Sequence, residues 1–477
     1  MTEKTSLHGM WSSRLAFILA ATGSAVGLGN IWRFPYITSE NGGGAFVLVY
    51  LGFIVLLGLP VMLSEIIVGR HGHASPINAI KKLAAETGAS KAWSGIGWIG
   101  IIAGILILSF YSVVAGWTLH YAFLYFKELF GGAGITDPGE TFGALLGRPG
   151  ELMFWHALFM ALTVFVVGLG VEKGLERAVR FLMPTLLVLL LVLFGYAFST
   201  GYVGQAASFL FRPDFSSLTG GSVIAAMGQA FFTLSLGMCT IMTYGAYLPN
   251  DVSVPKVGVT VALSDTAVAL LAGLAIFPII LSFGLDPAGG GAGLIFTSLP
   301  LAFAEMPFGI IYGFMFFLLL GIAAWTSSIS LLEPATAYLV EATSLSRKVL
   351  AVLVAGVSWL VGLVTVFSLN VWNEIRFGGQ YEPVLEFGSF GLIVGFDWQH
   401  TGKNPGDVVE YVATEVMLPL GGLLIALFAG WVVSRRITEG EFDTALPAWV
   451  YNLWRFLVRY ITPLLILVVL AGVLGFF

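Results

Sequence analysis

Three short polar stretches interrupt segments that are otherwise apolar enough to cross a membrane. They are GSAVGLGN at 23–30, QAFFTLSLGMCT at 229–240 and AAWTSSIS at 323–330. Glycine is costly inside a helix, and the lone amide of Asn30 is unfavourable in hydrocarbon. Where a helix is broken at this depth, freed N–H groups suit a carboxylate, and freed carbonyl groups with hydroxyl oxygens suit a hard cation such as Na⁺. The pattern therefore predicts a site for a carboxylate and for sodium.

Simpler explanations exist for the same residues. A glycine-rich break can be a hinge that binds nothing, and membrane-helix hydroxyls such as those of Thr326, Ser327 and Ser328 commonly donate to a carbonyl one turn earlier. Catalysis by such a hydroxyl is disfavoured, because His120 and His156 lie near span ends and supply no base at mid-depth. We expect no enzyme activity, whereas a sensor that binds its ligand without transporting it stays open as an alternative.

Composition places these stretches in a membrane protein. Of 477 residues, 57% are hydrophobic and 10% are charged, which is more apolar surface than a soluble core of this length buries. The single cysteine, Cys239, excludes a disulfide scaffold. A net charge of −5 without a basic run gives no reason to expect nucleic acid as a partner. The polar start, MTEKTSLHGMWSSR, does not resemble a cleavable signal, so the first span is expected to remain in the mature protein.

Eleven helical spans are expected, since a span needs about 20 mostly apolar residues. Their cores lie near 15–37, 43–68, 96–125, 154–171, 180–200, 222–248, 257–283, 308–340, 349–369, 410–433 and 452–474. Strands are not indicated, so the fold class is an all-α integral membrane protein. Lys and Arg concentrate in the loops that lie on the same side of the membrane as the N-terminus. This predicts a cell-membrane protein with a cytoplasmic N-terminus and an extracellular C-terminus. Segments 286–296 and 376–407 are then extracellular lids or plain connectors.

The positions of the first two breaks indicate an internal repeat. One break lies in the first span and one in the sixth, and two inverted repeats of five spans would bring them face to face. The predicted division is an N-terminal segment at 1–13, a first repeat at 14–200, a second repeat at 222–435 and an eleventh helix at 447–477.

The same residues resemble a known family. RLAFILAATGSAVGLGNIWRFPYITSENGGGAF at 14–46 resembles the signature of the neurotransmitter:sodium symporters, and GQAFFTLSLG at 228–237 and TSSIS at 326–330 resemble its sixth and eighth helices. The similarity runs from about residue 8 to residue 474, with a gap around 376–406. It implies discontinuous helices 1 and 6, alternating access and sodium-coupled import, with eleven spans as in some bacterial amino-acid transporters of the family.

The resemblance also implies two sodium sites. The first would use the carbonyl of Ala25, the side chains of Asn30 and Thr233, and a helix-seven residue that is commonly Asn in the family but is Ser264 here, followed by Asp265. The second would use the carbonyls of Gly23, Val26 and Ala323 and the hydroxyls of Thr326 and Ser327. Chloride-dependent members have Ser where this chain has Val268, and Asp265 one turn away supplies a fixed negative charge, so chloride is expected not to be required.

For the substrate, the resemblance places the carboxylate on the N–H groups of Leu28 and Gly29 and the hydroxyl of Tyr111. The ammonium would meet the carbonyls of Ala25, Phe232 and Thr233 and the hydroxyl of Ser235. Monoamine carriers have Asp at position 27, whereas Gly27 leaves room for a substrate that brings its own carboxylate. The side chain would face Ile107, Tyr111, Phe232, Met238, Ser327 and Leu331, a lining that suits a neutral hydrophobic or aromatic L-amino acid.

Two gates complete the implied site. On the outer side Arg33 would pair with Glu410, and Tyr111 and Phe232 would close over the substrate. On the inner side His8 would pair with Glu341 beside Trp11 and Tyr247, which would make this gate sensitive to pH near neutrality. In helix five, Gly174 and Pro184 weaken the turns between them, which predicts unwinding that admits water to the second sodium site.

Overall fold

A computed structural model describes residues 8–132, 134–285, 293–377, 402–442 and 446–474. Within these ranges the regular structure is helical, apart from two isolated β-bridges, Gly43 to Pro213 and Phe377 to Lys403. The predicted all-α membrane fold is therefore confirmed. Most of the predicted loops at 286–296 and 376–407, the first residues of the 1–13 segment and the C-terminal residue Phe477 lie outside the described residues.

Nine continuous helices of the described chain are long and apolar enough to cross a membrane. We number them by their place among the eleven expected spans: helix 2, Gly44–Gly72; helix 3, Lys91–Leu129; helix 4, Pro149–Gly168; helix 5, Val171–Ser199; helix 7, Val254–Ser282; helix 8, Gly309–Ala342; helix 9, Arg347–Ser368; helix 10, Pro405–Val432; and helix 11, Ala448–Val473. Five shorter α-helices of the described chain connect them, Pro76–Glu86, Pro138–Leu146, Val203–Phe211, Leu294–Glu305 and Arg435–Gly440.

The two remaining spans are broken, as the sequence predicts. Helix 1 consists of Arg14–Ala25 and Gly29–Glu40, and its halves meet at 51°. Helix 6 consists of Gly220–Thr233 and Thr240–Gly245, whose second half is only six residues long. The described structure therefore holds nine continuous spans, one bent span and one interrupted span in the places of the eleven expected. The division into repeats at 14–200 and 222–435 stays a prediction.

The broken helices lie inside the bundle. Helix 1 packs against helices 5, 7 and 8, and helix 3 packs along helix 8. Helix 3 is the most buried of the continuous spans, with 78% of its most apolar window covered, whereas the corresponding window of helix 5 or helix 11 is 33% covered. The peripheral helices therefore present apolar side chains to lipid while the interior holds the polar breaks.

Candidate functional site

The break in helix 1 begins where the backbone turns extended at Val26, with φ −71° and ψ 108°. The next N–H groups therefore leave the helical ladder and find side-chain partners. The Gly27 N–H donates to the Asn30 Oδ1 atom at 3.0 Å, and the Leu28 N–H donates to the Tyr111 hydroxyl at 3.2 Å. The predicted carboxylate-binding groups, the Leu28 N–H and the Tyr111 hydroxyl, are thus neighbours at the start of a half-helix.

The break in helix 6 is held in an unusual backbone conformation. Ser235, Gly237 and Cys239 all have positive φ angles, of 54°, 78° and 59°. Glycine adopts such angles easily, whereas a serine or cysteine is strained by about 1–2 kcal/mol. Surrounding contacts therefore fix this segment, and it brings Ser235 and Met238 into the lining of a central cavity.

Glu65 of helix 2 is one of these contacts, and the sequence reasoning missed it. Its fully buried carboxylate accepts hydrogen bonds from the Gly237 N–H at 2.8 Å and the Met242 N–H at 3.1 Å. These two donors belong to the break of helix 6 and to the half-helix after it. An acid within the apolar run of helix 2 was the available signal, but its partners lie more than 170 positions away.

The two breaks and helices 3 and 8 enclose a central cavity. It is lined by Ser24, Ala25, Gly27, Gly29, Ile107, Tyr111, Phe232, Ser235, Met238, Ser327 and Leu331. Every residue predicted to face a substrate side chain is in this lining. The open space is about 20 Å³, room for about one water molecule. A larger occupant must displace side chains, and the unbranched Met238 and the half-buried Phe232 are suited to move.

Gly27 lies at the tightest point of the cavity. A Cβ atom on this residue would stand 2.4 Å from the Ser327 Oγ atom and 2.8 Å from the Tyr111 hydroxyl oxygen. Both distances are shorter than any normal contact with a carbon atom. The backbone of helix 1 therefore approaches helices 3 and 8 as closely as it does only because residue 27 has no side chain.

A buried carboxylate joins helix 7 to the breaks. Asp265 is fully buried, and its carboxylate accepts hydrogen bonds from Asn30 Nδ2 at 2.7 Å and from the Thr233 hydroxyl at 3.0 Å. Asn30 Nδ2 also donates to the Asp265 carbonyl at 3.2 Å. Asn30 and Thr233 are two of the side chains predicted for the first sodium site. The sequence left open whether Ser264 or Asp265 completes this cluster. The structure brings the Asp265 side chain to it, whereas Ser264, at the preceding position, is half-buried.

This carboxylate fits a cation. Burying a negative charge costs several kcal/mol unless a positive charge or many hydrogen bonds compensate it, and both donors reaching Asp265 here are neutral. Oxygen atoms from Asp265 and Thr233 converge beside the interrupted backbone of helix 1, which is the donor chemistry of a hard cation. The site's electrostatics therefore favour a monovalent or divalent cation over an anion.

The hydroxyls of helix 8 were expected either to bind a cation or to donate to a carbonyl one turn earlier in the same helix, and the structure shows both kinds of position. Thr326 donates to its own helix at Ala323, with its Oγ1 atom 3.0 Å from the carbonyl oxygen, and Ser328 donates to the Trp325 carbonyl at 2.9 Å. Ser327 instead reaches helix 1, where its hydroxyl lies 3.2 Å from the Ser24 carbonyl oxygen and 3.4 Å from that of Val26. Of the residues predicted for the second sodium site, the structure therefore brings the Ser327 hydroxyl to the Val26 carbonyl, while the Thr326 hydroxyl bonds to Ala323 within helix 8.

Helix 5 covers this second cluster. A Cβ atom on Gly23 would lie 2.9 Å from the Met183 sulfur and 3.5 Å from the Thr326 Cβ atom. Met183 immediately precedes Pro184, the proline inside helix 5. The predicted unwinding segment from Gly174 to Pro184 is helical in this structure, with Gly174 in a short π-helical stretch at Val171–Glu176. Movement of this segment would uncover Gly23.

On the side where helix 1 ends, Arg33 is the principal charge. Its guanidinium carbon lies 4.9 Å from the centre of the Phe232 ring, and its Nη2 atom lies 3.6 Å from the Glu415 Oε1 atom. The sequence prediction chose Glu410, which belongs to the preceding turn of helix 10. The ion pair is corrected to Arg33 and Glu415, which lies in the π-helical stretch Val412–Met417.

On the opposite side, the four residues predicted for a gate come together. His8 Nε2 lies 2.9 Å from the Glu341 Oε1 atom, and the His8 ring is 5.7 Å from the ring of Tyr247. The Trp11 indole donates to the Tyr244 carbonyl at 3.1 Å, and the Trp11 N–H donates to the Tyr247 carbonyl at 3.0 Å. The segment before helix 1 is therefore bound to the end of helix 6 and to the end of helix 8.

Further acids anchor this closed end, and sequence reasoning did not identify them. Glu333 pairs with Arg347 and accepts a hydrogen bond from the Tyr247 hydroxyl at 2.7 Å. Glu176 of helix 5 accepts from the Ser12 N–H at 2.9 Å, which ties helix 5 to the segment before helix 1. The sequence shows only that Glu333 and Glu176 lie near the ends of apolar spans, and this position does not indicate which residues they contact.

The sodium:neurotransmitter symporter family matches the chain over residues 8–131 and 141–372. The chain belongs to this family and is a multi-pass membrane protein of the sodium-dependent transporter class. It is 36% identical over 468 residues to an uncharacterized sodium-dependent transporter, YhdH, of Bacillus subtilis, covering 98% of this chain and 97% of that one. It is 26% identical over 456 residues to a sodium- and chloride-dependent taurine transporter of Rattus norvegicus, covering 84% of this chain and 72% of that one.

A solved structure is also similar over nearly the whole length. The crystal structure of MhsT in complex with L-phenylalanine has a TM-score of 0.85 and 42% sequence identity, and covers 98% of this chain and 99% of that one. The overall fold of the chain is therefore similar to that of MhsT.

Proposed function

We propose that the protein is a symporter that imports a neutral, hydrophobic or aromatic L-amino acid with sodium by alternating access. The observation that carries the proposal is the central cavity at the break of helix 1, where the Leu28 N–H group bonds to the Tyr111 hydroxyl beside an apolar lining, with the buried Asp265 carboxylate held next to it by Asn30. The proposed orientation has the N-terminus in the cytoplasm, which makes the His8 side the inner gate and the Arg33 side the outer gate.

Recognition of the substrate follows from the lining. Its carboxylate lies on the N–H groups of Leu28 and Gly29 and on the Tyr111 hydroxyl. In the structure the Leu28 N–H donates to the Tyr111 hydroxyl at 3.2 Å, so the substrate carboxylate would take the place of this contact. Its ammonium meets the carbonyls around Ala25 and Phe232. The remaining lining is apolar, so a neutral side chain avoids the cost of burying an unpaired charge. MhsT, whose structure was solved with L-phenylalanine, supports the same substrate class for this chain.

Sodium is the second cargo, and we assign two ions. One lies between Asp265, Thr233, Asn30 and the carbonyl of Ala25; the other lies between the hydroxyls of Thr326 and Ser327 and the carbonyls of Gly23, Val26 and Ala323. The Asp265 carboxylate supplies the negative charge at the first position, so the proposal does not require chloride. Both positions touch the broken part of helix 1, so the ions and the substrate stabilise the same conformation.

Competition and uptake in proteoliposomes test this function. We expect labelled L-leucine and L-tryptophan to be taken up in sodium buffer and to compete with each other, whereas glycine, which leaves the apolar lining unfilled, competes weakly. Replacing sodium by choline should abolish uptake. Sodium-dependent binding without uptake would support the alternative function, a sensor, and equal uptake in choline would contradict sodium coupling.

The outer gate gives a prediction that separates Glu415 from Glu410. Glu415→Gln should lower uptake about fivefold, since a partly exposed ion pair contributes at most about 1 kcal/mol. Glu410→Gln is the comparison, because it removes the same charge from the same helix at a position that acts on Arg33 without the ion pair, so it should lower uptake less than Glu415→Gln. Initial rates of L-leucine uptake measure both. A larger loss in Glu410→Gln than in Glu415→Gln would show that the sequence-based pair was right.

The inner gate gives a prediction on efflux. The His8 Nε2 atom lies 2.9 Å from the Glu341 Oε1 atom, and Glu341 also accepts from the Ser75 N–H at 2.7 Å and from Asn78 at 2.7 Å. His8→Ala removes the contact between the segment before helix 1 and the end of helix 8. Opening of this gate, measured as efflux of preloaded L-leucine, should therefore be several-fold faster in His8→Ala than in the parent.

His73→Gln is the control for that measurement. His73 lies at the same end of the bundle, with its Nδ1 atom 3.4 Å from the Ala246 carbonyl oxygen rather than at Glu341. It should keep the efflux rate of the parent. A parental efflux rate in His8→Ala would exclude His8 from the gate.

A further inference from the structure

A second cavity lies at the end of the bundle where helix 1 ends, away from the central site. It is formed by the end of helix 3, the short helix Leu294–Glu305 and the start of helix 8, and it shares no residue with the central lining. Its open volume is about 460 Å³, compared with about 20 Å³ at the centre. The space is therefore large enough for a small organic molecule, whose sites typically measure about 300–1,000 Å³.

The walls are aromatic and polarizable. Tyr125 and Phe303 line the cavity with their ring centres 6.3 Å apart in an edge-to-face arrangement, and Met306 and Phe308 complete this side. Faces of aromatic rings carry negative potential and attract organic cations, and a methionine sulfur adapts to varied shapes. Such a lining suits an organic cation whose apolar groups contact the rings.

The turn at Phe308 has a strained backbone. Phe308 has a φ angle of 59° and is 75% exposed, so the strain is not offset by burial of its ring. The next residue must be glycine, because a Cβ atom on Gly309 would stand 1.6 Å from the Phe303 carbonyl oxygen. A strained residue held in place by close backbone packing is more typical of a functional position than of a plain connector.

The charge of the cavity comes from Glu128. This half-buried carboxylate lines the cavity and packs against Gly134, where an added Cβ atom would stand 2.1 Å from its carboxyl carbon. Glu305, exposed at the end of the short helix, adds a second negative charge nearby. The neighbouring Lys127 is exposed and its stem packs against Gly132. The lining itself therefore carries a single charged side chain, and it is negative.

We propose that this cavity binds a lipophilic organic ammonium compound, with the cation between the Glu128 carboxylate and the aromatic rings. The carboxylate supplies the charge, the rings of Tyr125, Phe303 and Phe308 contact the alkyl or benzyl groups, and Met306 adapts to their shape. This binding does not depend on the proposed transport function, because the two cavities share no residue.

Equilibrium binding of tritiated benzyltriethylammonium to the full-length protein in lipid nanodiscs tests the proposal. We expect saturable binding that is the same with and without sodium and L-phenylalanine. Glu128→Gln should weaken binding by at least about tenfold, since it removes the negative charge that attracts the cation, and a quaternary ammonium has no N–H group to donate to the new amide. Glu140→Gln, which removes an exposed charge on the short helix Pro138–Leu146, should leave binding unchanged.

A second variant guards against misfolding of the first. Ala304→Trp fills the cavity without changing its charge, and it should also weaken binding. Thermal melting of each variant confirms that it is folded. Absence of saturable binding, equal affinity in Glu128→Gln and the parent, or displacement of the probe by L-phenylalanine would each overturn the proposal. If transport fails while this binding holds, only the proposed function is wrong.

Discussion

Replacing Gly27 by alanine is expected to abolish amino-acid uptake while leaving the protein folded. The added methyl group would stand 2.4 Å from the Ser327 Oγ atom and 2.8 Å from the Tyr111 hydroxyl oxygen. Rotation of Ser327 would relieve the first contact only by giving up its hydrogen bond to the Ser24 carbonyl. Overpacking of this kind costs about 1–3 kcal/mol, which corresponds to as much as a hundredfold loss of uptake at low substrate concentration.

Gly52→Ala is the matched control, because a Cβ atom on Gly52 has nothing within 4 Å and the residue lies on another membrane helix. Its uptake should equal that of the parent. Initial rates and equilibrium binding of L-leucine distinguish a blocked site from slow transport, since a blocked site loses both. Parental uptake in Gly27→Ala would show that the substrate does not lie against this residue.

Replacing Asp265 by asparagine is expected to raise the sodium concentration that gives half-maximal uptake about 10- to 100-fold. The substitution keeps the shape of the side chain but removes the charge that Asn30 and Thr233 now contact. Hydrogen bonds to charged groups contribute about 1.5–3 kcal/mol, and the loss of charge also removes direct attraction for the cation. The measurement is the sodium concentration that gives half-maximal uptake, with thermal melting as the check on folding.

Anions extend this prediction. Uptake by the parent should be equal in sodium chloride and sodium gluconate, because Asp265 supplies the negative charge within the site. Uptake by Asp265→Asn should be higher in chloride, since a mobile anion can replace the lost charge. Asp251→Asn, at an exposed position before helix 7, is the control and should behave as the parent. An unchanged sodium requirement in Asp265→Asn would exclude its carboxylate from the first sodium site.

The breaks in helices 1 and 6 could be predicted because they depend on local chemistry. Glycines and an isolated Asn30 are unfavourable in a membrane helix wherever they lie, so the sequence alone marks the interruption. The number and order of spans followed from the apolar segments in the same way. Helix 6 differs from the expected span at 222–248, because its second half, Thr240–Gly245, is only six residues long.

Partners across the bundle were harder to predict. Glu65 and Glu333 stabilise helix 6 and the inner end through contacts with residues far away in sequence, which no spacing rule reveals. The outer pair was placed on Glu410 by resemblance to the family, whereas the Arg33 guanidinium lies closest to Glu415, a contact that only the three-dimensional structure reveals. At position 264 or 265, helix geometry decides which side chain faces inwards, and the structure puts Asp265 at Asn30.

Accumulation of L-phenylalanine against its own gradient tests the central claim most directly. In proteoliposomes with an inward sodium gradient, two sodium ions release about 7 kcal/mol at about 100 mV and a tenfold gradient, which is sufficient for strong accumulation. We expect an internal L-phenylalanine concentration that rises well above the external one and falls back when a sodium ionophore is added. An internal concentration that never exceeds the external one, or an accumulation that the ionophore leaves unchanged, would contradict it.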